Sequence, residues 1–320
     1  MSNPSVTVVI VNWNSGSLLA DCLKSLAHQT LPPTRVFVMD NDSKDGSADC
    51  AQGFAGVTLR QMGKNLGFAA ANNRAFAESD TEFVALLNPD AIADPSWLER
   101  LLAAAAAHPD VAVFGSLQLM QGAENTVDGI GDAYHFTGMA WRRGFGRRLT
   151  GVDLAPGEIF AACGAAALYR RDALLRAGGF DEDYFCYCED VDLGFRLRLA
   201  GERCLFVPDA IVHHHGAATS GGNRGDFAVY HGHRNLVWTY VKDVPGLLFW
   251  VFLPLHVLLN LVFIAYLSMR GQGRLVARAK WDAVKGIPKA WAKRNAIQDA
   301  RVASIAQIWR AMDKRILPVR

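Results

Sequence analysis

The first part of the chain alternates apolar, largely β-branched runs with segments of helical periodicity, and this order limits the fold more than any other feature. The apolar runs are Val6–Val11, Arg35–Asp40, Val57–Met62, Phe83–Leu87 and Val111–Gly115. The segments of helical pattern between them are Ser17–Ala27, Gly46–Phe54, Gly67–Glu78 and Pro95–Ala107. Because continuous apolar runs suit strands buried on both faces, we predict an α/β fold with a mostly parallel sheet flanked by helices.

Polar residues follow the predicted strands, where parallel sheets bind their ligands. The polar segments are Asn12-Trp-Asn14, Asp40-Asn-Asp-Ser43, Lys64-Asn65 and Asn88-Pro-Asp90. One polar loop alone is common and carries little information. Their convergence on the same edge of one sheet predicts a ligand cleft.

An adjacent pair of carboxylates, Glu189 and Asp190, stands where an aromatic run gives way to a helical pattern ending at Gly201. The helix dipole favours carboxylates at a helix N-terminus, so we expect the pair to be ionised at neutral pH. An ionised carboxylate beside aromatic side chains suits a general base that acts on a hydroxyl group. The alternative is that the pair only complements the helix dipole.

Composition limits the partners of the chain. The hydrophobic fraction of 51% suggests a large core or membrane contact, and the net charge of +2, with no arginine-rich stripe, predicts no nucleic-acid partner. The six cysteines form no CxxC pair, which indicates free thiols in a reducing cytosol. The segment Met1–Val11 lacks a basic leader region and is predicted to enter a first strand, not a signal peptide.

Two segments in the middle of the chain depart from the regular alternation. Residues 117–157 are irregular and rich in Gly and Arg, which is typical of a functional loop or of a simply mobile one. The following run Phe160–Tyr169 contains Cys163 and Gly164 among small residues. It is predicted to be a strand that lets another backbone or a ligand approach closely.

Near the C-terminus, Pro245–Leu267 is long and apolar enough to span a bilayer, although Pro254, His256 and Asn260 interrupt it. A basic, tryptophan-bearing tail follows, which suits an anionic membrane surface. We therefore divide the chain into a domain over 1–240 and a helical membrane-associating region over 241–320. The apolar segment could span the membrane, lie at its interface or be buried; the basic tail favours an interfacial helix with both ends on one side.

The chain also contains a set of short motifs that follow one another along most of its length. They are Val8-Val-Ile-Val-Asn-Trp-Asn14, Val38-Met-Asp-Asn-Asp-Ser-Lys-Asp-Gly-Ser47, Asn65-Leu-Gly-Phe-Ala-Ala-Ala-Asn-Asn73, Leu86-Leu-Asn-Pro-Asp-Ala91, Gly178-Gly-Phe-Asp-Glu-Asp-Tyr-Phe185 and the Glu189-Asp190 pair. The ordered set, from about Val6 to Trp238, closely resembles the bacterial family 2 glycosyltransferases. The resemblance is strongest to the rhamnosyltransferase-like branch that builds cell-surface polysaccharides.

The resemblance implies a GT-A fold, with 1–240 as its catalytic domain, and a nucleotide-diphosphate sugar donor of the dTDP or UDP type. It places Asp40 at the nucleobase or ribose, and Asp90 at the last position of a metal-binding DxD motif whose first position is Asn88 here. It also suggests His214 as a partner of the metal or pyrophosphate, the alternative being a polar surface triplet. Further nucleotide contacts are expected from Asn12, Asn14, Asn65 and Asn73, although an Asn often serves only its own turn.

The same resemblance implies inversion at the anomeric carbon by single displacement, with Asp190 as base and Glu189 orienting the site. A divalent cation, Mg²⁺ or Mn²⁺, would be held by Asp90 and His214. Contacts to the donor or acceptor sugar are expected from Cys163, Gly164, Asp181 and Asp183. The implied acceptor is lipid-linked or a glycan, and the implied location is the cytoplasmic face of the inner membrane.

Other classes of protein fit the sequence less well. A nicotinamide dehydrogenase would carry GxGxxG at the first helix, and the chain has none there. A sugar-nucleotide pyrophosphorylase would need a Gly-rich, Arg-containing loop in place of Asn12-Trp-Asn-Ser-Gly16. A catalytically silent scaffold of a polysaccharide assembly complex is the remaining alternative, and the intact Asp40, Asp90 and Asp190 argue against it.

Overall fold

The computed structural model of the chain describes residues 4–216 and 225–315. Their main sheet has ten strands in the order β10-β12-β6-β11-β4-β1-β2-β3, with β5 paired to β12 and β7 to β6; β8 and β9 form a separate pair. The strands are β1 Val6–Asn12, β2 Arg35–Asp40, β3 Val57–Gln61, β4 Phe83–Leu87, β5 Ala91–Ala93, β6 Val113–Met120, β7 Val127–Gly129, β8 Asp132–Tyr134, β9 Ala140–Arg142, β10 Gly157–Glu158, β11 Ala166–Arg170 and β12 Cys204–His214.

Helices cover both faces of the main sheet and continue beyond it. They are α1 Leu18–Ala27, α2 Gly67–Glu78, α3 Trp97–Ala107, α4 Arg171–Arg176, α5 Glu189–Leu199, α6 Asp226–Asp243, α7 Gly246–Met269, α8 Gly273–Asp299 and α9 Ile305–Ala311. Short 3-10 turns lie at Ser47–Gly53, Leu149–Gly151 and Glu182–Tyr184. The first of these replaces the helix predicted over Gly46–Phe54.

The predicted parallel sheet is confirmed in its N-terminal half. Strands β3, β2, β1 and β4 are parallel neighbours, and every residue of β1 is buried. Burial on both faces explains why β1 is apolar throughout and does not alternate. One core layer packs β1, β4 and helices α1 and α3, and a second lies on the opposite face with α2 and α5.

The strand predicted over Phe160–Tyr169 is wrong in its first half, because β11 begins only at Ala166. The small residues before it serve a close approach instead. A Cβ on Gly194 of α5 would collide with Ala161, so the helix packs directly against this segment. This packing sets the N-terminus of α5 beside Cys163 and Gly164.

The segment predicted to be irregular contains β7, β8 and β9 together with the end of β6. β7 pairs with β6, and β8 pairs with β9, so the segment is folded back against the sheet. It thereby brings Asp128, Asp132 and Arg142 to the carboxyl edge of the sheet.

Helices α6, α7 and α8 form one layer, and the domain boundary expected after residue 240 falls within α6. Asp226 near the start of α6 accepts from Gln272, and carbonyls at the end of α6 accept from Arg294, so α6 and α8 run parallel. Buried Lys242 of α6 pairs with Asp181 and Asp192. Since a buried charge is stable only when it is paired, these contacts fix α6 to the rest of the fold.

Candidate active site

A cleft of about 910 Å³ opens at the carboxyl edge of the parallel strands. This is the size of a pocket for a small organic ligand. Its walls come from the loops after β1, β2 and β4, the β7–β9 segment, the end of β12 and the start of α5. The strand-end residues predicted to converge are thus gathered around one cavity.

Asp190 stands at the N-terminus of α5 and faces this cleft. One carboxylate oxygen accepts from the backbone N–H of Gly164 at 2.9 Å, and the other accepts from the N–H of Val191 at 2.9 Å. Gly164 and Cys163 line the cleft beside it. The carboxylate is therefore held in one orientation by two backbone donors, as a base that acts on a bound hydroxyl requires.

The loop before Asp190 has a strained backbone. Phe185, Tyr187 and Cys188 have φ values of 65°, 69° and 65°, a region that residues with a side chain rarely adopt. Asn235 of α6, which is fully buried, donates to the carbonyls of Tyr184, Cys186 and Tyr187 at 3.1, 3.0 and 2.7 Å. This side chain compensates the strain and sets the direction from which α5 begins.

Glu189 differs from the expectation that both carboxylates are ionised at neutral pH. Its side chain is buried, and one carboxylate oxygen, Oε2, has no hydrogen-bond partner among residues 4–216 and 225–315. Burial, reinforced by the negative charge of Asp190, raises the pKa of Glu189 well above its ordinary value. The helix dipole is too weak to offset this burial, so Glu189 favours the protonated form while it lines the cleft.

His214, which also lines the cleft, connects two carboxylates. Its Nε2 lies 3.2 Å from Asp90 Oδ1, and its Nδ1 lies 2.8 Å from Asp128 Oδ2. Arg142 donates to the same Asp128 oxygen at 2.6 Å. Burial opposes the imidazolium form, but the hydrogen bonds to Asp128 and Asp90 outweigh it and raise the pKa of His214 to about 9.

Asn12 and Asp40 lie together but inside the protein. Asn12 donates to Asp40 at 2.8 Å, and Ser43 donates to the same carboxylate at 2.6 Å. Asn14 accepts from the N–H of Lys44 at 2.8 Å. Asn12, Asn14 and Asp40 therefore shape the loops after β1 and β2. None of these three residues lines the cleft.

The cleft surface in this region is formed by neighbours of the predicted nucleotide contacts. Trp13 is 40% exposed and lines the cleft with Asn41 and Asn65. Asn41 donates to the carbonyl of Gly67 at 3.1 Å, and Asn65 accepts from the N–H of the same residue at 2.9 Å. Of the expected asparagines, Asn65 is therefore the one that reaches the cavity.

Asn73, Asp181 and Asp183, which were expected to contact substrate, lie away from the cleft. Both ends of the Asn73 amide bond to Phe180, through its N–H and its carbonyl at 2.8 Å each. Asp181 pairs with Lys242 and Lys293, both at 2.5 Å.

Asp183 pairs with Lys289 at 2.6 Å and with Lys293 at 2.7 Å, so the two carboxylates share one group of lysines. Burial opposes ionisation of Asp181, but Lys242 and Lys293 outweigh it and lower the pKa of this carboxyl. Asp181 and Asp183 border a separate cavity of about 460 Å³. Their contacts join the loop to α6 and α8.

Sequence reasoning missed Trp13, Asp128, Asp132 and Arg142. Asp132, Cys163 and Asp190 offer ligand atoms within 4.8 Å of one another. Burial raises the pKa of Asp132, and its Oδ2 has no hydrogen-bond partner in the part of the chain that the structure describes. For Asp128, Asp132 and Arg142, the sequence offered only the presence of acidic residues and arginines in one irregular segment. Trp13 could have been predicted as a cleft residue, because it is an aromatic residue directly after a strand.

The fold is that of solved GT-A enzymes. A mannosyltransferase from Pyrobaculum calidifontis in complex with GDP-Man and Mn²⁺ matches with a TM-score of 0.55 at 18% identity, over 97% of this chain and 88% of that one. GalNAc-T7 with UDP, GalNAc and Mn²⁺ matches with a TM-score of 0.59 at 16% identity, over 75% of this chain and 48% of that one. The GT-A fold predicted from the motifs is confirmed.

Residues 7–177 match the model of glycosyl transferase family 2. A curated relative, the N-acetylglucosaminyl-diphospho-decaprenol L-rhamnosyltransferase of Mycobacterium tuberculosis (strain CDC 1551 / Oshkosh), is 32% identical over 309 residues, which are 87% of this chain and 97% of the relative. The chain belongs to glycosyl transferase family 2. It is a glycosyltransferase of the inverting type, similar to rhamnosyltransferases, as the sequence motifs indicated.

Proposed function

We propose that this chain transfers a deoxyhexose, rhamnose, from a dTDP- or UDP-linked donor to a hydroxyl group of a polyprenyl-diphosphate-linked acceptor. One observation supports the reaction: the carboxylate of Asp190 and the pair Asp90–His214 line the same cleft. A single displacement needs a base on the acceptor side and positive charge at the leaving diphosphate, and this cleft offers both. The proposed sugar and acceptor are those of the mycobacterial relative, which is an N-acetylglucosaminyl-diphospho-decaprenol L-rhamnosyltransferase.

Asp190 removes the proton of the attacking hydroxyl. The N–H groups of Gly164 and Val191 hold this carboxylate in one orientation, which supports its role as the base for the hydroxyl that attacks the anomeric carbon. Glu189, whose pKa is raised by burial, lines the cleft beside it and helps to orient the site. Cys163 and Gly164 bound the space for the transferred sugar.

The donor nucleotide lies between the loops after β1 and β2. Trp13 offers an aromatic face on which a pyrimidine base can stack, and Asn41 and Asn65 border the ribose. Asp40 and Asn12 support these loops from within, because their side chains bond to one another and to Ser43. Their substitution is expected to act on donor affinity through the loop.

Asp90 and His214 fit a divalent cation, Mg²⁺ or Mn²⁺. Their facing atoms are 3.2 Å apart, which matches neighbouring ligands of one cation bound at about 2.1 Å. His214 Nδ1 meets Asp128 at 2.8 Å, the arrangement in which a carboxylate orients a metal-bound imidazole. A bound cation would neutralise the leaving diphosphate.

The enzyme is expected to work at the cytoplasmic face of the inner membrane, where a lipid-linked acceptor and a soluble donor meet. Helix α7 is long and apolar enough by length and composition to cross a membrane. We assign residues 1–240 to the catalytic domain and 241–320 to membrane association, with α6 shared between them.

The proposal is tested by a donor screen that follows release of nucleoside diphosphate from dTDP-, UDP- and GDP-linked sugars in the presence of a membrane extract. We expect release above the hydrolysis background with one donor class, dependent on the extract and abolished by EDTA. Donor binding without release from any sugar would instead support a catalytically silent scaffold. Release that EDTA does not change would remove the cation from the proposal.

A further inference from the structure

Helix α7 presents two faces of different environment. Its inner positions Phe249, His256 and Leu267 are buried, with Asn260 and Phe263 between them, at spacings of three, four or seven residues. The outer face carries nine exposed large hydrophobic side chains: Leu247, Trp250, Val251, Val257, Leu258, Leu261, Val262, Tyr266 and Met269. An exposed apolar face of this length requires a partner, since soluble proteins rarely leave one uncovered.

Helix α8 extends the same surface. Its residues Ala277, Trp281, Val284, Pro288 and Trp291 recur at alternating spacings of four and three and are all exposed. Trp291 meets Trp250 of α7 with ring centroids 6.4 Å apart, so the outer face of α7 and this stripe of α8 are continuous. We call the two together the apolar surface.

Helix α7 is packed on the rest of the protein along its whole length. Near its start Phe249 contacts Tyr240 of α6, with ring centroids 5.3 Å apart, and His256 stacks on the same ring at 4.0 Å. Further along, the rings of Phe263 and His233 have centroids 5.2 Å apart, and Leu267 at the end of α7 packs with Val229.

A helix held in this way cannot cross a bilayer without taking α6 with it. Helix α6 carries Asn235, which holds the loop before Asp190, and its residues Phe227 and Ala228 line the cleft. Crossing would therefore carry the active site into hydrocarbon, where polar backbone and charged groups are not tolerated. The contacts of α7 therefore favour an in-plane arrangement over a spanning one.

Basic residues border the apolar surface. From Arg270 to Asp299 the chain has eight Lys and Arg against two Asp. Four of the eight bind Asp181, Asp183 or carbonyls of α6, and the other four are exposed: Arg270, Arg274, Arg278 and Lys285. The side chains of Arg278 and Lys285 are 76% and 61% exposed, and each directly follows a residue of the α8 stripe, Ala277 and Val284. An apolar stripe with cations along its border is the pattern of a helix that lies in an anionic membrane interface.

We propose that the apolar surface docks in the plane of an anionic lipid bilayer, with α7 and α8 both lying on it and neither crossing it. The inference rests on the proposed function, because it takes the acceptor to be a lipid-linked molecule that reaches the cleft from the bilayer. The start of α6 provides this link, because Phe227 and Ala228 line the cleft while Val229 packs on the end of α7. The acceptor hydroxyl then enters from the membrane side and the donor from the solvent side.

The first test measures co-sedimentation of the full chain with vesicles of phosphatidylcholine, with and without phosphatidylglycerol. We expect binding that requires phosphatidylglycerol, weakens at high salt and falls at least about tenfold in V251E/L258E and in W281E/V284E. L175E, which adds one negative charge at an exposed leucine of α4, is the control and should bind as the unaltered chain does. Unchanged thermal unfolding of the variants confirms that they are folded.

The second test distinguishes docking from spanning. Washing cell membranes at alkaline pH with carbonate should release the unaltered chain, whereas retention until detergent is added would overturn the in-plane arrangement. Equal vesicle binding by V251E/L258E and the unaltered chain would overturn the docking surface.

A change in protomer number in these variants, without loss of vesicle binding, would assign the surface to a second copy of the chain instead. Neither measurement depends on transfer activity. Vesicle binding without transfer would contradict the proposed function alone, and transfer without vesicle binding would contradict the docking surface alone.

Discussion

At the scale of single residues, the site is controlled by groups that hold the reacting side chains. Asp190 is oriented by two backbone N–H groups, and His214 by Asp128. The sequence identified Asp190 and His214 because they stand at the end of a strand or the start of a helix. It could not identify Asp128, because only the folding of the β7–β9 segment brings this carboxylate to His214.

Replacing Asp128 by Asn is expected to weaken binding of Mn²⁺ about 10- to 100-fold, since the partner that orients a metal-bound imidazole is lost. The measurement is a Mn²⁺ titration of UDP binding by calorimetry. Asp94→Asn is the matched control, because Asp94 contacts His213 at 3.3 Å on the half-exposed side of the same strand pair. Equal Mn²⁺ affinity in Asp128→Asn and the unaltered chain would contradict the role of Asp128.

The pKa of Glu189 predicts a pH dependence of stability. Its folded value is raised, so its contribution is fully present below the unfolded pKa of about 4.3 and is lost as the pH rises toward the folded pKa. Glu189→Gln keeps a neutral side chain at every pH. The variant should therefore lose less free energy of unfolding as the pH rises through this range, by at most about 1.4 kcal/mol per pH unit.

The measurement for Glu189 is denaturant unfolding at a series of pH values. Glu182→Gln, a glutamate in the turn before the active-site loop, is the comparison variant. Curves of Glu189→Gln and the unaltered chain that stay parallel would show that Glu189 is ionised in the folded protein.

At the scale of elements, the active site depends on α6 as much as on the strands. The N-terminus of α5 is reached through three residues of positive φ, and the fully buried Asn235 binds the carbonyls around them. The sequence marked α5 as a helix start. It could not show that Asn235 holds the loop, because the two segments are about 50 residues apart in the chain.

Asn235→Ala should therefore lower both stability and turnover. Leaving buried carbonyls without donors costs about 1–3 kcal/mol, and freeing the loop misplaces Asp190. We expect kcat for transfer to fall while donor affinity changes little, because the donor contacts lie on other loops. Asn295→Ala, an exposed position on α8, is the control. Loss of donor affinity with unchanged kcat would contradict a role in positioning Asp190.

At the scale of the whole molecule, the sequence predicted the half of the fold that is built from local pattern. Long apolar runs identified β1, β2 and β4, because a strand that is buried on both faces is apolar along nearly its whole length. The prediction failed at Phe160–Tyr169, where small residues serve packing under α5 and not pairing in the sheet. Burial of Glu189 and the ion pairs of Asp181 arise from contacts distant in sequence, which no local pattern encodes.

The most direct test of the account is Asp190→Asn, measured by transfer and by donor binding in the same preparation. The amide keeps the shape of the side chain but cannot take the hydroxyl proton, so transfer should fall about 10²- to 10⁴-fold while donor affinity is kept. Asp172→Asn, an exposed aspartate on α4, should leave both unchanged. Transfer by Asp190→Asn at close to the unaltered rate would contradict the assignment of the base and, with it, the reading of the cleft.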